Sequence, residues 1–335
     1  MRLRNTLCPV LLLACLTAGI TFAAPLDTER VPADVKWLVH IDFDALRDSE
    51  MGQKLAGPFL SHRGPGAKIR KLQQELGIDL TADLHSVTLY DTRFQRHHGL
   101  MQIRTDNLDQ GRLLSKLREK HPEAAATEYR GHAIHTWVVG EGRKFAHEMS
   151  GCFHGEDTLL LSRDTDVLKR TIEVLDGAGE SLPVDAELAA ATVGGTILSM
   201  NVNGMVPREF PFRSPVMRQT KRLFMTVGES EGEVRMRAHL EANSSDTAEN
   251  LATVVEGFRA MGMLRHGDDE TGKRVFDGLT VEVDGATVEA NWIMTPEDAE
   301  KVVDTMKKEH EKHREMRRER MERRREMMKA KREKS

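Results

Sequence analysis

Histidine and aspartate alternate in W-L-V-H-I-D-F-D-A-L, residues 37–46. His40, Asp42 and Asp44 are the residues whose types and spacing could hold a metal ion or a small ligand. Imidazole nitrogen suits zinc, copper and nickel, and carboxylate oxygen completes such sets. In a strand of period two, Leu38, His40 and Asp42 share one face, and Trp37, Val39 and Ile41 the other. Asp44 then falls where a helix N-cap belongs, ahead of Ala45-Leu46-Arg47. The chain has 14 histidines, so other groupings compete. His132 and His135 flank one expected strand. His147, Cys152 and His154 gather near one hairpin, and His310 and His313 lie one helical turn apart. None repeats the paired Cys/His spacing of a structural zinc site. Histidine and aspartate at a strand end ordinarily serve as caps and backbone hydrogen-bond partners. The expectation is no cofactor and no stoichiometric zinc, copper or nickel. His40, Asp42 and Asp44 remain the ligand set of an alternative reading, a metal- or small-ligand-binding protein.

Two catalytic motifs occur and fail on context. Gly228-Glu229-Ser230-Glu231-Gly232 matches the serine-hydrolase elbow, which needs a strand before it and a helix after it. The alternation of Glu233–Leu240 makes it a hairpin turn instead, and two glutamates beside the serine oppose an oxyanion. Gly267-Asp268-Asp269-Glu270-Thr271-Gly272-Lys273 matches most of a P-loop. Arg274 stands where the hydroxyl residue belongs, a strand is expected next, and three carboxylates repel phosphate. The chain therefore reads as non-enzymatic. A hydrolase assembled from distant loops is the third reading.

The elements that would position these residues follow an export leader. Arg2 and Arg4 precede the apolar run Leu7–Ile20, and Thr21-Phe22-Ala23 offers small residues where a signal peptidase reads. Cleavage is expected after Ala23 or Ala24. The apolar run is too short to span a bilayer. Leu12-Leu13-Ala14-Cys15 resembles a lipobox, so a lipid anchor at Cys15 is the alternative. Cys152 is then the one cysteine of the mature chain, a small buried hydrophobe at a strand start.

From residue 33 the chain alternates short strands, hairpin turns and amphipathic helices. Ser86–Tyr90 pairs with Gly99–Arg104. Hairpins turn at Arg130-Gly131-His132 and Gly155-Glu156-Asp157, and Asp164 caps a helix carrying Leu168, Ile172 and Leu175. A helix is expected around Ile69, Leu72 and Leu76. The plan repeats from Gly195: Thr196–Asn203 replays the opening strand, and Asp246 with Glu249 makes a capping box. Thr295-Pro296 starts a helix bearing Ala299, Val302, Val303 and Met306. The expected fold is α+β, two tandem similar α/β-sandwich halves with mostly antiparallel sheets plus a charged C-terminal helix. The divisions are 1–23 signal peptide, 24–178 first domain, 179–193 linker, 194–308 second domain and 309–335 tail.

V-P-A-D-V-K-W-L-V-H-I-D-F-D-A-L (31–46) and L-G-I-D-L-T-A-D-L-H-S-V-T-L-Y (76–90) resemble the start of a family of exported bacterial proteins of unknown function. The resemblance implies the same leader and a two-half α+β body. It implies no catalytic residue. Asn201-Val202-Asn203 stands in the second half where His40-Ile41-Asp42 stands in the first.

Charge is divided. The net of −4 combines 15 Lys/Arg and 8 Asp/Glu in residues 301–335, a body, 24–300, of net −13, and the two arginines of the leader. The tail has no glycine or proline beyond Met306, and its methionines form no single stripe, so it reads as a solvated helix rather than a coiled coil. Its first reading is a charged helix that keeps the end soluble, and the alternative is binding to an anionic surface such as membrane, wall polymer or nucleic acid. No specific nucleic-acid motif is present, and no transmembrane helix is expected in the mature chain. The first functional reading is an exported, non-enzymatic binding or scaffolding component at the cell envelope.

Overall fold

The computed structural model describes residues 24–54, 73, 79, 81–95, 98–140, 146–191, 195–204, 217–266, 269–305, 315–316 and 319–323. The helix expected around Ile69, Leu72 and Leu76 lies outside them, as do Met306 and most of the tail.

The strands are β1 (Trp37–Asp42), β2 (Leu84–Asp91), β3 (Leu100–Thr105), β4 (Ala125–Tyr129), β5 (His132–Val139), β6 (His147–His154), β7 (Thr158–Ser162), β8 (Thr196–Asn203), β9 (Thr220–Ser230), β10 (Glu233–Ala242), β11 (Leu279–Asp284) and β12 (Thr287–Met294). The helices are α1 (Phe43–Asp48), α2 (Gln110–Lys120), α3 (Thr165–Leu175), α4 (Ala186–Ala191), α5 (Ser245–His266) and α6 (Glu270–Asp277). A further helical segment covers 296–305. The fold is α+β. Among the described residues the strands form one antiparallel sheet in the order β11-β12-β10-β9-β8-β1-β2-β3-β7-β6-β5-β4.

That order contains the repeat. Outward from the centre, one half runs β1-β2-β3-β7-β6 and the other β8-β9-β10-β12-β11, and the first half adds the hairpin β4-β5 at its edge. The halves do not keep separate sheets. β1 pairs antiparallel with β8, with Leu38 opposite Asn201 and His40 opposite Ser199. Each opening strand would otherwise leave an edge of unpaired backbone groups, and pairing the two removes both edges.

The strands obey their alternation. β1 buries Leu38, His40 and Asp42. Across the registers the same face carries Tyr90 and Leu100, then Leu160, Cys152 and Ile134. These pack with Val167, Leu168 and Ile172 of α3, with Leu182 and Leu188, and with Phe224 of β9. Leu182 and Leu188 belong to the 179–193 stretch expected as a linker, and both are buried in the main core. Cys152 is fully buried, and burial pushes its thiol up to about 11.

Three local readings change. The N-cap of α1 is Asp42, whose carboxylate accepts from the Ala45 amide at 2.8 Å, so Asp44 sits inside the first turn. At the start of α5 the amide of Thr247 donates to Ser244 Oγ, and Asp246 is already helical. The P-loop-like stretch runs into α6, which starts at Glu270 inside it and is capped by Asp269, and the expected strand follows as β11 at Leu279. A carboxylate at that N-terminus takes the place phosphate would need. The elbow-like Gly228–Ser230 lies at the end of β9 in a tight hairpin to β10. Glu229 accepts from the amides of Glu50 and Met51, both at 2.8 Å, so a glutamate of the second half caps a helical turn of the first.

Candidate metal centre

His132, His154 and Asp176 come from three elements and meet at one end of the first half. The turn Arg130-Gly131 takes φ of 50° and 81°, which starts β5 at His132. β6 ends at His154, just before Gly155 with φ 66°. The register that pairs Ile134 with Cys152 carries His132 to the level of His154. Their rings stack with centroids 4.9 Å apart. Asp176 is the C-cap of α3, and Gly177 beyond it takes φ 71°, the left-handed conformation that ends helices.

His132 Nε2 donates to Asp176 Oδ1 at 3.0 Å, and His154 Nε2 donates to the same oxygen at 3.2 Å. Arg130 Nε holds the other oxygen, Oδ2, at 3.2 Å. One ligand atom from each of the three residues lies within 4.8 Å of the others. Burial works against ionisation of Asp176, but hydrogen bonds from His132, His154 and Arg130 outweigh it and hold the carboxyl below its ordinary value. The carboxylate also sits at the negative end of the α3 macrodipole, and the last turn of α3 carries no basic residue. That position disfavours an anion and favours a cation beside it.

The dimensions suit a first-row divalent ion. Zinc bonds of about 2.0–2.2 Å in a tetrahedral site separate ligand atoms by roughly 3.3 Å. The two nitrogen–oxygen distances are close to that, so small adjustments would bring the set around an ion. Each imidazole would lose its Nε2 proton to present a lone pair. Arg130 would keep Oδ2 fixed from behind, as groups behind a ligand commonly do. Three protein ligands leave a coordination position open.

The residues expected as ligands are placed otherwise. His40 Nε2 donates to the Ala24 carbonyl at 3.0 Å, and its Nδ1 accepts from the Thr88 hydroxyl at 2.9 Å. Burial lowers its pKa to about 4, keeping the ring neutral with both nitrogens engaged. Asp42 is the α1 cap. Asp44 alone of the three reaches a cavity, where it pairs with Arg47 and accepts from His85 Nδ1 at 2.9 Å. His85 Nε2 lies 3.1 Å from Asp106 Oδ2. Burial opposes the charged imidazole, but the bonds to Asp44 and Asp106 prevail and raise its pKa. Arg104, Asp157, Asp27 and the Ala24-Pro25-Leu26 segment complete this cavity of about 500 Å³.

Sequence spacing grouped His132 with His135, but a strand of period two turns them to opposite faces. Hairpin register was the signal that could pair His132 with His154. Nothing local pointed to Asp176.

No protein-family model matches the chain, and no curated protein matches it. Among solved structures, crystal form III of TP0453 aligns with a TM-score of 0.47 and 10% identity, over 84% of this chain and 99% of that one. Crystal form I of TP0453 aligns with a TM-score of 0.45 and 10% identity, over 85% and 99%.

Proposed function

We propose that the protein is an exported, non-enzymatic binding component of the cell envelope whose ligand is a divalent transition-metal ion. His132, His154 and Asp176 would hold it. The observation that carries the reading is the convergence of two imidazoles on one carboxylate oxygen whose partner oxygen is anchored by Arg130. The open position and partial exposure set the site apart from a closed structural one. The 309–335 tail, rich in Lys and Arg, would hold the protein at an anionic envelope surface.

The test is titration of the chelator-dialysed mature protein with zinc, followed by calorimetry and elemental analysis. One ion per chain is expected. His154→Ala and Asp176→Ala should each weaken binding at least tenfold, and His40→Ala should leave it unchanged. Absence of stoichiometric binding, or binding that survives both site variants, would overturn the reading.

A further inference from the structure

The residue that follows the expected cleavage point is not a loose end. Ala24 is 6% exposed, and Leu26 and Val31 beyond it are buried in the main core. Chain termini are usually poorly ordered unless something ties them down. Here the Ala24 carbonyl accepts from His40 Nε2 at 3.0 Å, which lays this residue along the buried face of β1. Two residues along that face is Asp42, with no exposed surface. Its Oδ1 is satisfied by the Ala45 amide. Its Oδ2 has no hydrogen-bond partner among the described residues. Burial raises the Asp42 pKa, while the backbone amides of Ala45, Ala24 and Asp44 lie close enough to favour the charged form. A buried carboxylate with one oxygen unsatisfied is costly and needs an explanation.

Resting on the reading of export with cleavage, we propose that the α-ammonium group created at Ala24 by cutting after Ala23 is the missing partner of Asp42. Hydrolysis of the Ala23–Ala24 peptide bond by water leaves a carboxyl group on Ala23 and an amine on Ala24, which takes up a proton. One planar amide N–H becomes a cation with three donors that rotate freely about the Cα–N bond. A charge-assisted bond to Oδ2 then completes the carboxylate whose other oxygen caps α1. Processing thus finishes the fold at the strand that joins the two halves. Cutting after Ala24 would instead remove the carbonyl that His40 holds, so the geometry selects Ala23 as the last leader residue.

The experiment uses the full mature chain released by its own leader, a form with one extra glycine before Ala24, Asp42→Asn, and the two changes combined. Asparagine keeps the oxygen that caps α1. Intact mass should begin at Ala24. The extension and Asp42→Asn should each lower the Tm by several degrees, and the combination should fall no further than the worse of the two, as coupled sites do. Acylation of the α-amine in the native protein should be at least tenfold slower than in Asp42→Asn. A mass beginning elsewhere overturns the choice of cleavage point. A correct mass with an extended chain that melts like the authentic one, with penalties that add, or with an amine equally reactive in both proteins, overturns the ion pair itself.

Discussion

His40 shows how a residue of catalytic type is used up inside a fold. Its folded pKa is about 4, against about 6.5 for a free histidine. The unfolded chain therefore takes up a proton between these values that the folded chain refuses. The stability from burying His40 neutral is full above about pH 6.5 and is lost as pH falls toward 4, by up to about 3 kcal/mol. In urea melts across that window, His40→Gln should show a shallower acid-side decline than the parent. Equal slopes would show that another group carries the effect. His85 has the opposite sign. Its pKa is raised by Asp44 and Asp106, so its contribution is present below the free value and fades as pH rises through the folded one. At the proposed metal centre, zinc at a hundred times its Kd should stabilise the fold by about 2.7 kcal/mol. His132→Ala should abolish that gain, as read by melts with and without chelator.

At the scale of elements, local chemistry sets where helices start and how closely they pack. Removal of the Glu229 carboxylate by Glu229→Ala should cost about 1–2 kcal/mol, because two amides at the start of 50–54 lose their acceptor. Chemical denaturation measures this, and an unchanged midpoint would contradict it. In the second half, Val275, Phe276 and Trp292 pack under α5 and the 296–305 helix, with Trp292 Nε1 donating to the Val275 carbonyl at 2.5 Å. Gly262 lies against this cluster, and a Cβ there would meet the Phe276 ring at 2.2 Å. Gly262→Ala should therefore destabilise by about 1–3 kcal/mol despite alanine's better helix propensity. The 296–305 helix follows its sequence pattern closely. Thr295 Oγ1 accepts from the Asp298 amide, Pro296 enters the first turn, and Ala299 is buried.

Taken whole, the molecule is two copies of one plan sharing a sheet and a core. Phe224 of the second half packs in the core built mostly by the first. Calorimetry should therefore give one cooperative transition, and two resolved transitions would contradict a shared core. The tail belongs to the molecule differently. Met321 is 56% exposed, and the described residues at 319–323 are all exposed. Removing Glu309–Ser335 should leave the Tm nearly unchanged. If the tail holds the protein to the proposed anionic surface, the same truncation should abolish vesicle binding and the full chain's binding should fall steeply with salt, whereas no salt-sensitive binding in either protein leaves a solubilising helix. A truncated protein that melts far lower would place the tail against the body. No helix of the described residues is long and apolar enough to cross a membrane.

Periodicity, caps and turn residues are local, and they determined the strands, the hairpins at Gly131 and Gly155, the repeat of the two halves and the buried fate of Cys152. They also read Gly228–Gly232 as a hairpin turn, which it is. Helix starts at Asp42 and Ser244 were missed by a residue or two, because several neighbouring polar side chains could each have capped and tertiary packing chose between them. The joining of the halves through β1 and β8 was not legible, since pairing of two edges depends on segments about 160 residues apart. The candidate site was hidden for the same reason. His40, Asp42 and Asp44 look alike as a spaced set, but the sheet buries the first two and leaves only Asp44 at a cavity. Asp176 reaches His132 and His154 from 44 and 22 residues away, because α3 ends where the β5–β6 register brings those two histidines together. Spacing along a chain reports which side chains share a face of one element, whereas a site built from three elements exists only once their packing is set.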